Sequence, residues 1–469
     1  MEFQAHMADF TPPRPEVFAR PPGVFRMLSL ARRNLLSVWW ENAFHAPTMA
    51  KKIIARPFFV CNCPEAVSHA FVSHNDIYQR KSPQMRHALK QLLGDGLFIS
   101  DGETWKIRRR MIAPILHGKL LPEYTRVMAK TLQELSRTYD KSGPGAEVDI
   151  LTQMGSLTAE VICRSIFGKA LGEEKSHAII SAFTEYQGHI DNLDIAALLN
   201  LPEWLSNFRG GASKASARRL HAIIDKLVDD IEAGILEGEN SIVSSLLTSE
   251  DEETGTRLTR EEVRNEVAVL VMAGHETTSN ALTWAWYLIS QDAEVEAKMH
   301  AEIDAVLGDR IPTYEDVEKL VYTRAIFDEA LRLYPPVPFL TREALKDDVI
   351  MGRPIAKGTI LMVIPWLLHR HKEYWDEPEK FRPERFINPV RSHKNIYIPF
   401  SAGPRYCPGA TFGITESVLC LAMIGRHHRL QLKPGTTVEP QCRLTLRPRH
   451  GIPMIIHPRK QRNEQTADV

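Results

Sequence analysis

Phe400-Ser-Ala-Gly-Pro-Arg-Tyr-Cys-Pro-Gly409 is the most informative segment of this chain, and an apolar run with helical spacing, residues 410–424, follows it. A cysteine at the start of a helix lies among backbone N–H groups, and these groups and the helix dipole stabilise a thiolate. Gly403 and Gly409 let the backbone turn tightly and let a flat ligand approach closely. A cysteine in such a setting is more often structural than functional, so the rest of the chain has to decide its role.

The composition is that of an ordinary globular protein, with 469 residues, 43% of them hydrophobic and 25% charged. The 58 basic and 58 acidic residues cancel, which argues against a nucleic-acid-binding protein. The six cysteines include no C-x-x-C pair, so neither a zinc ribbon nor a disulfide scaffold is indicated. We expect residues 51–458 to form a single domain, residues 1–50 an N-terminal extension packed on or near it, and residues 459–469 a polar, disordered tail.

The first fifty residues lack the stretch of about 18 to 20 uninterrupted apolar positions that a membrane-spanning helix needs. Arg32 and Arg33 interrupt the best candidate, residues 24–40, and no signal-peptide cleavage pattern follows it. We therefore expect a soluble cytoplasmic protein with no transmembrane segment. Trp39 and Trp40 are expected in a helix packed on the body of the protein rather than on a membrane.

Hydrophobic periodicity predicts a mainly helical chain with a small β region. Three long segments have apolar residues at three- and four-residue intervals: 218–236, 260–291 and 295–307. Four short stretches are strand-like: 57–63, 349–350, 360–365 and 454–457. Because these stretches come from both ends of the chain, we expect a sheet region that both ends build together.

A second informative segment, Ala273-Gly-His-Glu-Thr-Thr278, interrupts the longest apolar helical pattern. A glycine and a carboxylate are unfavourable inside a buried helix, so some compensating role is expected. Val269 and Asn280 share a helix face with this segment. From the residues alone, a kink or a solvated patch explains the interruption as well as a functional site does.

Three further segments carry charge or aromatic residues in suggestive positions. Glu329 and Arg332 form an i, i+3 pair, which on an exposed helix would be a weak surface salt bridge. Phe381-Arg-Pro-Glu-Arg-Phe386 follows about fifty residues later and supplies Arg385. Trp105-Lys-Ile-Arg-Arg109 places an indole and a guanidinium one helical turn apart, although in isolation the tryptophan could equally be a core residue.

Together these segments resemble the cytochromes P450. Phe400, Gly403, Arg405, Cys407 and Gly409 match the haem-binding signature F-x-x-G-x-R-x-C-x-G of that family position for position. The resemblance extends from about residue 57 to residue 457. It implies the P450 fold, in which a large helical domain and a small sheet-rich domain enclose a haem between a distal and a proximal helix, and it makes residues 51–458 the catalytic domain.

The resemblance also implies roles around the cofactor, haem b. Cys407 would be the axial iron ligand, and a thiolate opposite dioxygen favours cleavage of the O–O bond. Arg405, Trp105, Arg109 and Arg342 would contact the haem propionates. The family's ionic network beneath the haem would be supplied by three further residues, which serve folding and haem retention: Glu329, Arg332 and Arg385.

On the distal side, the segment around residue 275 matches the family motif [A/G]-G-x-[D/E]-T-[T/S]. The resemblance implies that Gly274 makes room for dioxygen and that Thr277, supported by Glu276, relays protons as general acid chemistry requires. His275 occupies the variable position of the motif. We expect it to be structural or to face solvent rather than to act in catalysis.

The function implied is that of a monooxygenase that uses dioxygen as co-substrate to hydroxylate or epoxidise an apolar small molecule. A peroxide-using or rearranging haem-thiolate enzyme is one alternative, and a non-catalytic haem sensor is another. Enzymes of the first alternative typically lack the distal acid and alcohol, so Glu276 and Thr277 favour the monooxygenase. The apolar pocket is expected from seven residues: Leu97, Phe98, Val269, Met272, Ala273, Val337 and Phe339.

Electrons are expected to come ultimately from NAD(P)H, through a separate ferredoxin or flavodoxin and its reductase, since the sequence shows no flavin motif and no iron–sulfur cysteine set. Lys106, Arg108 and Arg110 are the candidate basic patch for docking such an acidic partner. We expect the protein to act as a monomer.

Overall fold

The computed structural model describes residues 10–53, 56–116, 118–168, 173–188, 211–235, 241–387 and 394–459. The tail predicted from residue 459 lies outside the described residues except for Arg459, whose guanidinium contacts Asp304 in the body of the protein. The first nine residues of the predicted N-terminal extension also lie outside them.

Helices make up most of the described chain. Their bounds are α1 Val24–Arg33, α2 Pro64–Ser68, α3 Pro83–Leu93, α4 Gly102–Ile112, α5 Leu121–Ser142, α6 Ile150–Phe167, α7 Glu173–Gly188, α8 Gly211–Glu232, α9 Ile242–Thr248, α10 Arg260–Ile289, α11 Ala293–Leu307, α12 Val321–Leu333, α13 Pro365–Leu368 and α14 Ala410–His427. The three segments predicted from periodicity correspond to α8, α10 and α11. The long helix α10 starts at a capping box, in which Thr259 and Glu262 bond to each other's backbone N–H groups.

The strands are short. Their bounds are β1 Thr48–Ile53, β2 Arg56–Cys61, β3 Arg80–Lys81, β4 Glu147–Asp149, β5 Leu340–Glu343, β6 Asp348–Ile350, β7 Arg353–Ile355, β8 Ile360–Val363, β9 His428–Leu432, β10 Pro440–Cys442, β11 Leu446–Pro448 and β12 Pro453–Pro458. The largest sheet has the order β1-β2-β8-β5-β3. Its β2 and β8 run parallel, with Phe58 opposite Ile360, so the prediction that both ends of the chain build one sheet is confirmed for 57–63 and 360–365. The other two predicted stretches, 349–350 and 454–457, lie in two smaller sheets.

The N-terminal segment is continuous with the rest of the protein. Strand β1 crosses the boundary drawn after residue 50, and Leu36, Trp39 and Phe44 are buried in the main apolar core. Trp39 stacks on the ring of Phe339, with the ring centres 6.1 Å apart. Within the described residues, no helix is both long enough and apolar enough to cross a membrane.

Helix α10 is the central element of the helical part. It packs along α6 and also against α12, α14 and α3. Helix α14, which follows the cysteine segment, comes so close to α10 that a Cβ atom on Gly413 would lie 3.5 Å from the Thr278 hydroxyl. This contact brings the two informative segments of the sequence to the same region of the fold.

Candidate haem site and active site

The Cys407 segment forms a tight loop between a 3-10 turn, Gly403–Arg405, and the start of α14. The Cys407 N–H donates to the Phe400 carbonyl at 2.9 Å, which closes the loop. Burial raises the pKa of the Cys407 thiol, while the N–H of Gly409 and the charges of Arg109 and Lys81 act in the opposite direction. The loop therefore supplies the N–H donor, and α4 and β3 supply the positive charges, that favour a thiolate.

The two glycines of the loop serve different purposes. Gly403 has a φ of +67°, and a Cβ atom there would lie 1.9 Å from the carbonyl oxygen of Phe71, so only glycine fits against that backbone. Gly409 has an ordinary φ of −88°. A Cβ atom at Gly409 would come no closer than 4.0 Å to the Cys407 sulfur, so the space that this glycine leaves lies beside the sulfur.

Four cationic side chains surround this region: Lys81, Arg109, Arg342 and Arg405. Arg342 is 2% exposed, and burial together with the charge of Arg405 lowers its pKa to about 9. Burial lowers the pKa of Arg405 to about 10. The side-chain hydrogen bonds of these two arginines go to backbone carbonyls, from Arg342 to Thr341 at 3.0 Å and from Arg405 to Ser100 at 2.6 Å.

In the part of the chain that the structure describes, none of these four cations forms an ion pair with a carboxylate, and the buried Nε of Arg405 has no hydrogen-bond partner. Buried cations without an anion are costly, so an anionic ligand is expected there. The two propionates of a haem are such anions, and guanidinium groups bind carboxylates well. The residues present therefore fit a haem whose propionates face these cations and whose iron faces Cys407.

The structure places the predicted propionate contacts together. Trp105 lies under Arg405, with the guanidinium carbon 4.5 Å from the centre of the ring. Sequence reasoning missed Lys81, which is brought to the group because β3 pairs with β5 in a register that sets Lys81 opposite Arg342. No local motif marks this lysine, so only the strand pairing could have identified it.

The predicted ionic network is present as a separate cluster, in which Glu329 and Arg332 are fully buried and Arg385 is half-buried. Arg332 donates to the two carboxylate oxygens of Glu329 at 2.6 and 2.8 Å, and Arg385 lies 3.4 Å from the same carboxylate. The remaining N–H groups of Arg332 donate to backbone carbonyls of three residues, His369, Pro378 and Lys380. Here the protein itself balances the charge.

Helix α10 is buried from Asn265 to Ile289 except at four positions: Ala273, Gly274, Glu276 and Thr277. The Thr277 hydroxyl donates to the Ala273 carbonyl at 2.6 Å. Thr445, in the turn between β10 and β11, donates to Glu276 at 2.6 Å and accepts from Asn280 at 3.3 Å. The predicted acid and alcohol therefore both lie on the half-buried part of the helix and bond to different partners, and Thr445, which the sequence did not indicate, holds the acid.

The structure shows the surroundings of two more residues of this helix. A Cβ atom on Gly274 would lie 2.7 Å from Ile162 of α6, so the glycine allows the two helices to approach, and its role toward dioxygen stays a prediction. His275 is structural and does not face solvent: it is buried, its ring meets that of Phe183 edge-on at 6.3 Å, and burial lowers its pKa to about 4.

The predicted basic docking patch is wrong. Arg108 is 4% exposed and is paired with Glu262 and Glu266 of α10. Arg110 forms two hydrogen bonds to Asp251, at 2.6 and 2.8 Å. Because carboxylates already neutralise these two arginines, only Lys106 is exposed as predicted, and it is paired with Glu103 at 3.0 Å.

The predicted pocket residues are spread over three elements. Leu97 and Val269 are brought close through Gly96, where a Cβ atom would lie 2.8 Å from the Val269 side chain. Phe98 lies beside the cations, with the Lys81 ammonium 4.6 Å from its ring centre. Met272 is buried next to the accessible Ala273. The other two residues belong to different surroundings, with Phe339 stacked on Trp39 and Val337 packed on the core of the sheet.

Comparisons with known proteins agree with this geometry. The family model described as Cytochrome P450 matches residues 15–454. "Cyclooctatin synthase" of Streptomyces melanosporofaciens is 33% identical over 87% of this chain and 89% of the relative, and "Cyclooctat-9-en-7-ol 5-monooxygenase" of the same organism is 33% identical over 79% and 80%. Human "Cytochrome P450 4V2" is 32% identical over 78% of this chain and 74% of the relative.

Among solved structures, the chain is similar to the cytochrome P450DA heme domain, with a TM-score of 0.78 and 27% sequence identity over 88% of this chain and 90% of that one. The fold, the cysteine loop and the distal helix thus agree with a family match that spans most of the sequence. The chain belongs to the cytochrome P450 family and is a haem-dependent monooxygenase.

Proposed function

We propose that this P450 monooxygenase hydroxylates or epoxidises an apolar small molecule, and that Cys407 would hold the iron of its haem. The observation that carries the proposal is the group of four cations beside Cys407, one buried and three half-buried, that form no ion pair with a carboxylate in the described chain. When bound, the haem supplies the activation of dioxygen and the transfer of one oxygen atom to the substrate. The protein supplies the thiolate, the proton path and the pocket.

The residues of α10 are proposed to deliver protons. Thr277 and Glu276 are accessible in a helix that is otherwise buried on both sides of them. Glu276 is held by the Thr445 hydroxyl and directly precedes Thr277 in the helix. A carboxyl group and a hydroxyl in one accessible segment can both serve as proton donors. A peroxide-using enzyme would not need this pair, which favours the monooxygenase.

The substrate is proposed to be largely hydrocarbon. Leu97, Val269 and Met272 offer apolar surface beside the accessible segment of α10. One relative is named for the oxidation of cyclooctat-9-en-7-ol at position 5, which agrees with such a substrate. We further propose that electrons come from NAD(P)H through a ferredoxin or a flavodoxin and its reductase.

The test begins with protein produced with ample haem. We expect a red-shifted Soret band in the reduced carbon monoxide complex, and we expect Cys407→Ala to abolish it. A panel of apolar compounds is then screened for conversion of the ferric haem to high spin, and each hit is incubated with NADPH and either a ferredoxin or a flavodoxin system. Substrate-dependent product with one of these systems supports the proposal; product with hydrogen peroxide alone, or no product from any hit, contradicts it.

The proton path has its own test. Thr277→Ala should keep the carbon monoxide band while more of the NADPH consumed ends as hydrogen peroxide. Wild-type coupling in this variant would remove Thr277 from the relay. A monomeric state and a cytoplasmic location stay predictions, and size-exclusion chromatography of the haem-bound protein tests the first.

A further inference from the structure

The loop that joins α3 to α4, residues 94–101, lies directly on the first half of α10, and we call it the pocket loop. Gly94 has a φ of +52°, and a Cβ atom there would lie 2.2 Å from the side chain of Asn265. A Cβ atom on Gly96 would lie 2.8 Å from Val269. The backbone of the pocket loop therefore contacts α10 at two points. Any residue larger than glycine at either point would push the loop away from the helix.

One side chain fastens this loop to the helix by hydrogen bonds. Glu266 is fully buried, and both of its carboxylate oxygens accept from the Leu97 N–H, at 3.0 and 3.1 Å. Nε of Arg108, in α4, lies 3.3 Å from the same carboxylate. A second carboxylate, Glu262, also pairs with Arg108. Arg108 therefore lies between two acids, of which only Glu266 reaches the loop.

We propose that Glu266, held by Arg108, is a positioning residue that fixes the pocket loop and so sets the shape of the substrate pocket next to Leu97 and Phe98. This inference rests on the proposed function, because the pocket role of those two residues comes from it. Arg108 directly precedes Arg109 and follows Trp105 by three positions. The contacts of Glu266 with Leu97 and Arg108 thus connect the pocket loop to α4, the helix that contains two predicted propionate contacts.

The burial and the neighbouring charges of Glu266 make its contacts with Leu97 and Arg108 sensitive to pH. Burial raises the pKa of Glu266 to about 7, the Leu97 N–H and Arg108 oppose that rise, and the charge of Glu262 adds to it. Above this pKa the carboxylate is charged and attracts Arg108 most strongly. Below it the carboxyl group is neutral, and a glutamine in its place has the same charge and nearly the same shape.

The experiment compares two iron-binding probes of different size. Imidazole reaches the ferric iron without filling the pocket, whereas clotrimazole also occupies the space beside the pocket loop. Both are titrated by their spectral shift against wild-type enzyme, Glu266→Gln, Glu266→Ala and the control Glu262→Gln. The control removes a partner of Arg108 and part of the cap of α10 but no contact of the loop.

We expect the clotrimazole dissociation constant to rise about tenfold in Glu266→Ala and about threefold in Glu266→Gln at about pH 8, because the loop loses a buried, charge-assisted acceptor. Imidazole binding should stay within about twofold, as should both probes with Glu262→Gln. At about pH 6 the difference between wild type and Glu266→Gln should disappear, because the wild-type carboxyl group is then neutral.

Unchanged clotrimazole binding in both Glu266 variants would overturn the inference, as would an equal loss for both probes, since that would indicate general damage to the haem site. Glu266→Gln keeps the shape of the side chain, so the test holds even if Glu266→Ala does not fold. A wild-type protein without the red-shifted carbon monoxide band would instead show that the proposed function, on which the inference rests, has failed.

Discussion

Two groups of buried cations in this protein differ in how their charge is balanced. In the Glu329 network, two arginines share one carboxylate, and the remaining N–H groups of Arg332 donate to backbone carbonyls. Beside Cys407, Arg342 is buried and Arg405 is half-buried, but their bonds go to single backbone carbonyls and no carboxylate pairs with them in the described chain. Arginine therefore has a carboxylate partner from the protein in the first group and has none in the second.

The difference shows how a ligand site can be told from a structural cluster. A buried ion pair loses stability when either member is removed, because the other is left unpaired. A buried cation without a protein partner already destabilises the protein, and only a bound anion compensates it. Removal of a charge should therefore have opposite effects in the two regions, and this contrast can be measured.

The largest effect is expected for Glu329→Gln. This change leaves Arg332 and Arg385 buried without their anion, so we expect the free energy of unfolding to fall by about 3–5 kcal/mol. Urea unfolding of the haem-bound protein, followed by tryptophan fluorescence, measures it. The matched control is Glu294→Gln, whose partner is the exposed Lys298 at 2.7 Å and whose loss should cost about 0–1 kcal/mol. Equal effects of the two changes would contradict the contrast.

The second-largest effect is expected for Arg342→Leu, on the retention of haem. We expect the haem-free protein to be as stable as wild type or more stable, because an unpaired buried charge is gone. Haem should transfer to apomyoglobin about tenfold faster, because a charge-assisted contact to a propionate is lost.

Arg370→Leu is the matched control for this change. Arg370 is also buried, but it pairs with Glu379 at 3.2 Å and lies 3.7 Å from the ring centre of Trp366. Its loss should therefore lower the stability of the haem-free protein. If Arg342→Leu destabilises the haem-free protein as much as Arg370→Leu does, the cations beside Cys407 do not form a binding site for an anionic ligand.

The residues that the sequence predicted well are those whose partners are near in the chain. Cys407, its glycines and Arg405 lie within one ten-residue segment, and Glu329 and Arg332 are one helical turn apart. Lys81 and Thr445 were missed because they reach the site through pairing between distant segments, β3 with β5 and the β10–β11 hairpin. No local pattern encodes such contacts.

The wrong expectations have a related cause. Helical spacing shows which residues share a face, but it does not show which element that face meets. The position where a Cβ atom on Gly274 would lie, for example, faces Ile162 of α6, and spacing alone does not reveal that contact. Arg108 and Arg110 looked like free surface charge because their acidic partners lie about 140 to 160 positions further along the chain.

A smaller effect is expected for Lys81→Met, which tests whether the missed lysine belongs to the group of cations beside Cys407. An ammonium group makes a single-point contact where a guanidinium can bind a carboxylate at two points, so haem transfer should speed up only about threefold. Lys81→Arg should restore wild-type transfer. Haem transfer unaffected by Lys81→Met would exclude this residue from propionate binding.

The smallest effect is expected for Thr445→Val, because Glu276 is a third case: a carboxylate held by a neutral hydroxyl. Valine keeps the shape of threonine but cannot donate to Glu276 or accept from Asn280. We expect the free energy of unfolding to fall by only about 1 kcal/mol, since no charge loses an ionic partner. The carbon monoxide band should not change, because Thr445 contacts the distal helix α10 from the β10–β11 turn and is not part of the cysteine loop.

Coupling is the property that Thr445→Val should alter. Without this donor, Glu276 is less well held, so about two- to threefold more of the NADPH should end as hydrogen peroxide, measured with a substrate from the spectral screen. Thr445→Ser keeps the hydroxyl and should behave as wild type. If valine and serine give the same coupling, Thr445 only supports the hairpin, and the accessible segment of α10 positions its acid without help from the β10–β11 turn.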